Sequence, residues 1–303
     1  MEVLYILENL RNPVLDEVML LITRLGEETA FLVAALIVFW CVDKRKGDYV
    51  MAVGFIGTML NQFLKLFCMV PRPWVLDPEF TVVEGAKEAA AGYSFPSGHS
   101  QNAVGTFGAI AMVSKGQWVK GLCIAAAVLV PFSRMYLGVH TPADVLTGSA
   151  MALLLAVMLR PMIRPKSGMP MKGVILLMLA MSVGLLAYVE LYPFPAEMDE
   201  HNLSSGLKNA YTMLGCILGV SIAYPVEKKF VCFETKAVWW AQVLKVILGL
   251  ATVLAVKEGM RAPLEAILPV YPARAVRYFL IVLWAGIGWP ASFGFFSKLG
   301  VKK

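Results

Sequence analysis

Ser133-Arg134-Met135-Tyr136-Leu137-Gly138-Val139-His140-Thr141-Pro142-Ala143-Asp144 is a short polar turn between two long apolar runs, about residues 119 to 137 and 142 to 160. Thr141 has the chemistry of a helix cap, and Pro142, with its fixed φ and missing N–H, suits the first helical position. Asp144 then falls at the third position, where a carboxylate completes a capping box or favours the helix dipole. Each run has the roughly 17 to 25 mainly apolar residues that one bilayer crossing needs.

Outward from this turn the pattern repeats. Further runs lie at about 25 to 42, 49 to 68, 97 to 114, 172 to 192, 207 to 224, 239 to 256 and 278 to 296. With 58% hydrophobic and 16% charged residues, the chain is too apolar for an ordinary soluble domain of 303 residues. The fold expected is all-α, a polytopic membrane helix bundle of about nine spans. The first run carries Glu27 and Glu28 near its outer end, and Lys245 lies early in the eighth, placed for its stem to snorkel to the interface. Residues 1 to 11 lack the basic region and cleavage pattern of a secretory signal and read as an amphipathic lead-in. Cys41, Cys68, Cys123, Cys216 and Cys232 show no ligand spacing and read as small core residues.

A formal charge of +6 raises the question of nucleic acid, but the basic residues collect in alternate turns, which is the distribution of membrane topology. One side gathers Lys44, Arg45, Lys46, Lys115, Lys120, Arg160, Arg164, Lys166, Lys172, Lys228, Lys229, Lys236, Lys298, Lys302 and Lys303, and reads as cytoplasmic. The opposite side receives the segment from Lys65 to Tyr93, the turn from Arg134 to His140, the acidic stretch from Glu190 to Glu200, and the loop from Lys257 to Arg277. The partner expected from this distribution is the lipid bilayer, with no nucleic acid.

Three segments on that outer side carry chemistry. Lys65 sits near the end of the second run, and Arg72 follows between Pro71 and Pro73, which stop the helix and hold the guanidinium for a two-donor grip on phosphate. A charge at the hydrocarbon edge is either an interface anchor or a functional group. Pro96-Ser97-Gly98-His99 opens the third run. A helix start is an anion seat, Gly98 permits close approach of phosphate to the backbone, and Ser97 is either a hydroxyl donor or a plain N-cap. Arg134 and His140 flank the turn quoted above. Asp144 either caps its helix or fixes the tautomer of His140, and the two roles are compatible. His201, the third histidine, has no motif around it.

Two imidazoles with three cations suffice for phosphoryl transfer without metal. One ring attacks phosphorus, the other protonates the departing oxygen, and Lys65, Arg72 and Arg134 stabilise the equatorial oxygens. The two histidines and Asp144 could supply zinc ligands, but three neighbouring cations oppose a divalent ion and no carboxylate cluster is present. No cofactor and no metal are expected.

Lys65 through Arg72-Pro73, Pro96-Ser97-Gly98-His99, and Ser133-Arg134 through His140 with Asp144 resemble the three signature motifs of the type 2 phosphatidic acid phosphatase superfamily. The resemblance implies a six-helix phosphatase core in which His140 is the nucleophile, His99 the general acid and Asp144 the support of His140. It further implies that Lys65, Arg72, Ser97, Gly98 and Arg134 hold the phosphate. It covers residues 49 to 160 closely, and the phosphate pocket is similar to that of vanadium-dependent haloperoxidases. The run Arg72-Pro73-Trp74-Val75-Leu76-Asp77 also resembles the glucose-6-phosphatase branch. Residues 1–195 are then the core with its lead-in, and 196–303 an extension of about three spans for packing or substrate gating. The function expected is hydrolysis of a lipid phosphate monoester or diphosphate through a phosphohistidine, on the outward face of the cell membrane. A sugar phosphate hydrolase, a phosphotransferase and an anion-binding transporter are the alternatives.

Overall fold

A bilayer offers its solutes no hydrogen bonds, so apolar segments that cross it must satisfy their own backbone. The computed structural model describes residues 1–88, 90, 92–164, 169–195 and 198–299, and among these no strand occurs. The helices are α1 (Glu2–Glu8), α2 (Pro13–Thr23), α3 (Glu28–Ile37), α4 (Lys44–Cys68), α5 (Pro73–Leu76), α6 (Gly98–Val113) and α7 (Gln117–Tyr136). They continue as α8 (Pro142–Leu159), α9 (Met171–Leu191), α10 (Glu200–Val226), α11 (Trp239–Gly259), α12 (Arg261–Ile267), α13 (Val270–Leu283) and α14 (Phe293–Phe296).

Among the described residues seven helical segments are long and apolar enough to cross a membrane, or eight with the pair Pro13–Gly26 and Glu28–Val42, which is bent by 56°. The expected count of about nine is not confirmed; α6, with 16 residues and about 24 Å of helix, is shorter than a hydrocarbon thickness of roughly 30 Å. The first expected span, 25 to 42, is the second half of that bent pair. Lys166, Lys302 and Lys303, counted on the cytoplasmic side, and Glu197 of the acidic stretch lie outside the described residues.

The chain divides into two compact units, one of Met1–Ala34, Tyr49–Ser167 and Pro193–Gly206, the other of Ala35–Asp48, Gly168–Tyr192 and Leu207–Lys303. In the first, α6 packs against α7 and α8 through small residues. Gly148, Ala152 and Ala156 form a buried four-residue repeat on α8, the pattern that lets membrane helices approach closely. A Cβ on Gly148 would lie 2.6 Å from the Ser97 carbonyl oxygen, so α8 touches the backbone at the very start of α6. The Ser97 N–H donates to the Asp144 carbonyl at 3.0 Å and locks the two helix starts together.

The break between α2 and α3 also reaches α6. Gly26 leaves no room for a side chain, since its Cβ would come within 2.9 Å of the Cβ and carbonyl oxygen of His99, and its carbonyl accepts from Asn102 Nδ2 at 3.3 Å. The lead-in is a clamp. Arg11 Nε donates to the Tyr136 carbonyl at 3.0 Å and Nη1 to the Thr81 carbonyl at 2.9 Å, while Tyr136 Oη donates to Asp16 at 2.8 Å. These bonds tie the 77–88 loop to the turn after α7, over a cluster of Val83, Ala86, Tyr136, Leu137 and Val139 with Trp74 against it. Gly138 turns with φ +80, and a Cβ there would meet Arg11 Nη2 at 2.7 Å.

In the second unit, Lys245 does not snorkel. It is buried, and its Nζ donates to the carbonyls of Trp40 at 2.9 Å and Thr235 at 3.1 Å, 4.5 Å from the Phe293 ring centroid. Carbonyl oxygens and an aromatic face replace the water that an interface would supply. All five cysteines are free thiols; Cys123 and Cys216 are buried, but Cys68 and Cys232 lie on the surface rather than in a core.

Gly148→Ala is expected to destabilise the protein by about 1–3 kcal/mol through overpacking, whereas Gly108→Ala on α6, with nothing within 4 Å of the new Cβ, should be neutral or slightly stabilising. Thermal unfolding of the two variants in detergent checks the contrast.

Candidate active site

Four helix ends and two loops supply the site, all within the first compact unit. α4 ends where Met69 takes a left-handed conformation (φ 47), one turn after Lys65, and Pro73 starts α5 immediately after Arg72. Lys65 and Arg72 are thus fixed on either side of a helix break. Both are buried and both use backbone carbonyls of the next loop: Lys65 Nζ donates to Tyr93, and Arg72 Nε donates to Gly92 at 3.0 Å. Asn61, one turn before Lys65, donates from Nδ2 to the Pro96 carbonyl at 3.3 Å and holds the same loop.

Arg72 also reaches the turn after α7. Its Nη1 donates to the Val139 carbonyl at 2.9 Å and lies 2.9 Å from His140 Nε2. A guanidinium is only a donor, so this contact requires a lone pair on Nε2 and puts the ring proton on Nδ1. Nδ1 faces Asp144 Oδ2 at 3.4 Å. That oxygen also accepts from the Thr141 N–H at 2.7 Å and from Ser94 Oγ at 2.6 Å, while Thr141 Oγ1 accepts from the Asp144 N–H at 3.3 Å. The capping box is therefore complete, and the same carboxylate that starts α8 orients the imidazole.

Arg134 is in the last turn of α7 and 1% exposed. Nη1 donates to Thr23 Oγ1 at 2.7 Å, but Nε is buried with no hydrogen-bond partner among the described residues. A buried guanidinium donor left unpaired is costly, and an anion would satisfy it. At the start of α6, Ser97 is the N-cap: Oγ accepts from the Ser100 N–H at 3.4 Å and from Ser100 Oγ at 2.9 Å. Gly98 is the first helical residue, and a Cβ there would meet only Asn61 Oδ1, at 3.5 Å. His99 follows it, half-buried.

The residues singled out in the sequence thus lie together. Burial first, then the charges of Arg72, Lys65 and Arg134 and the His99 ring, hold the His140 imidazole well below the ordinary histidine value. The cluster holds three cations and one buried carboxylate, Asp144. Two neutralising contacts were invisible in the sequence. Ser94 is fully buried and shares Asp144 with His140, 3.5 Å from Nδ1, and Thr23 accepts from Arg134 across 111 residues. Only the position of Ser94 two residues before Pro96 could have drawn attention to it. Among the described residues no three His, Cys, Asp or Glu side chains are grouped as metal ligands.

The profile of the PAP2 superfamily matches residues 45–167, and that of the PAP2 superfamily phosphatase transmembrane extension matches residues 211–302. The undecaprenyl-diphosphatase BcrC of Bacillus subtilis is 30% identical over 146 residues, 48% of this chain and 72% of that protein. Phosphatidylglycerophosphatase B of the same organism is 34% identical over 162 residues, covering 48% and 74%. The undecaprenyl-diphosphatase of Sulfolobus acidocaldarius is 30% identical over 142 residues, covering 44% and 64%. A crystal structure of a transmembrane PAP2 type phosphatidylglycerolphosphate phosphatase from Bacillus subtilis aligns with a TM-score of 0.43 at 31% identity, covering 52% of this chain and 80% of that one.

Thr23→Val removes the acceptor of Arg134 Nη1 and should cost about 1–3 kcal/mol of stability, which Thr23→Ser should restore. Denaturant unfolding in detergent measures both.

Proposed function

This chain belongs to the PAP2 superfamily and is an integral membrane phosphatase, and from that premise we propose that it hydrolyses a phosphate monoester or diphosphate on a membrane lipid through a phosphohistidine at His140, without metal. The observation that carries the reading is the fixed tautomer of His140, with its Nε2 lone pair turned to Arg72 and Nδ1 turned to Asp144.

In the first step Nε2 attacks phosphorus, the P–N bond forms, and the bond from phosphorus to the lipid oxygen breaks. His99 gives its proton to that oxygen. Asp144 meets the positive charge that grows on the His140 ring, and Ser94 keeps the carboxylate in place. Lys65, Arg72 and Arg134 neutralise the non-bridging oxygens, with the amides at Ser97 and Gly98 as further donors. In the second step His99 takes a proton from water, the water oxygen bonds to phosphorus, the P–N bond breaks and inorganic phosphate leaves.

The chemistry falls in residues 1–195 in this reading, and 196–303 serve as an extension. The site faces outward, because Lys115, Lys120, Arg160 and Arg164 stand at the opposite ends of α6, α7 and α8 from His99, Arg134 and Asp144. A lipid substrate follows from a phosphate seat at helix ends. The acyl or prenyl chain stays in hydrocarbon while the phosphate reaches the histidines. Prenyl diphosphates and phosphatidylglycerol phosphate head the substrate panel because curated relatives are an undecaprenyl-diphosphatase and a phosphatidylglycerophosphatase.

Purified enzyme given lipid substrates labelled with radioactive phosphate and quenched in alkali should retain label on the protein. His140→Ala should retain none and lose hydrolysis by at least about a thousandfold. Turnover by that variant close to the native rate would remove His140 from its role. His99→Ala should be least impaired on substrates with good leaving groups, where protonation matters less; an equal loss on poor and good leaving groups would refute the acid role. A depressed His140 value keeps the nucleophile unprotonated as pH falls. The acid limb of kcat/KM, corrected for the substrate's own ionisation, should therefore lie below the ordinary histidine value of about 6.5.

A further inference from the structure

Outside the site just described, the second unit holds a group of cations that the reaction does not use. α11 ends at Gly259, α12 follows it within one 29-residue apolar segment that ends at Ile267, and α13 begins after Pro269. Glu265 Oε1 lies 3.4 Å from Arg261 Nε and 3.7 Å from Arg277 Nη1, so two arginines share one carboxylate oxygen. Arg274, one turn before Arg277, donates from Nε to Thr212 Oγ1 at 2.6 Å, and that oxygen donates in turn to the Lys208 carbonyl at 2.7 Å. The guanidinium carbons of Arg274 and Arg277 lie 5.1 and 5.8 Å from the same Tyr278 ring centroid.

Arg261 and Arg277 thus share one carboxylate oxygen, and Arg274 stands one turn from Arg277 on α13, where like charges three residues apart repel. Arg277 carries the stronger sign. Its side chain is 10% exposed, its ion pair to Glu265 is long, and its Nε is buried with no hydrogen-bond partner among the described residues. A buried donor on a charged group is left this way only at a cost, and an anion oxygen removes it. At the turn between the two apolar segments that carry these arginines, Ile267 is 76% exposed and Val270 62% exposed. Apolar surface next to unsatisfied guanidinium is the chemistry of the boundary between headgroups and acyl chains.

We infer that the α12–α13 corner is a second phosphate site, distinct from the catalytic one, which binds the headgroup phosphate of an anionic phospholipid through Arg261, Arg274 and Arg277 while the acyl chains lie against Ile267 and Val270. Its place in the extension gives those residues a ligand of their own. The inference does not depend on the proposed reaction.

Native mass spectrometry of the full chain in detergent tests it, with phosphatidylglycerol as the probe because its phosphodiester is not a substrate of a monoesterase. The native protein should retain phosphatidylglycerol about tenfold better than phosphatidylcholine, and excess inorganic phosphate should not displace it. Arg277→Gln and Arg274→Gln should each lower retention about tenfold, the worth of one charge-assisted hydrogen bond. Arg261→Gln, whose side chain is 63% exposed and does not enter the core, should lower it in the same direction without a change in folding. His140→Ala should retain as much as the native protein. Equal retention of the two lipids, unchanged retention in Arg261→Gln and Arg274→Gln, loss of retention in His140→Ala, or displacement by inorganic phosphate would each overturn the assignment.

Discussion

Lys65, Arg72 and Arg134 are all more than nine-tenths buried, with a single buried carboxylate, Asp144, among them. Positive charge so removed from water is costly, and the surrounding structure is organised around that cost. The carbonyls of Tyr93, Gly92 and Val139 turn inward to the cations, and Thr23 gives its hydroxyl oxygen to Arg134. What these partners do not satisfy is left at Arg134 Nε, which is buried with no hydrogen-bond partner among the described residues.

The same constraint explains why the helix ends are so tightly joined. The start of α6 and the start of α8 share a backbone hydrogen bond, Gly148 keeps them in contact, and Arg11 pins the turn that carries His140. Asp144 links folding to chemistry most directly. One of its oxygens takes the Thr141 amide that begins α8, the Ser94 hydroxyl, and the side of His140 that must stay protonated. Precise placement of an imidazole lone pair is thereby built into the first turn of a helix.

Much of this was legible in the chain because it is local. Thr141-Pro142-Ala143-Asp144 declares its capping box by residue type, and Arg72 between two prolines declares a helix break. The cations and histidines of the candidate site stand in short segments with recognisable composition. The partners that fix them were not legible. Thr23 and Arg134, or Ser94 and Asp144, meet across long loops with no periodicity to announce them. The fate of Lys245 was hidden for a related reason, since the carbonyls that hold it belong to Trp40 and Thr235, which the sequence does not bring near. The span count is not confirmed at α6, where the apolar run of residues 97 to 114 folds as a 16-residue helix with Ser97 as its N-cap and Ser114 as its C-cap.

The shortness of that helix has a bearing on the membrane itself. At about 24 Å, α6 is shorter than the roughly 30 Å of hydrocarbon, and a bilayer meets such a mismatch by thinning around the short segment. Bilayer thickness thus becomes a physical variable that acts on the bundle at the helix that carries His99.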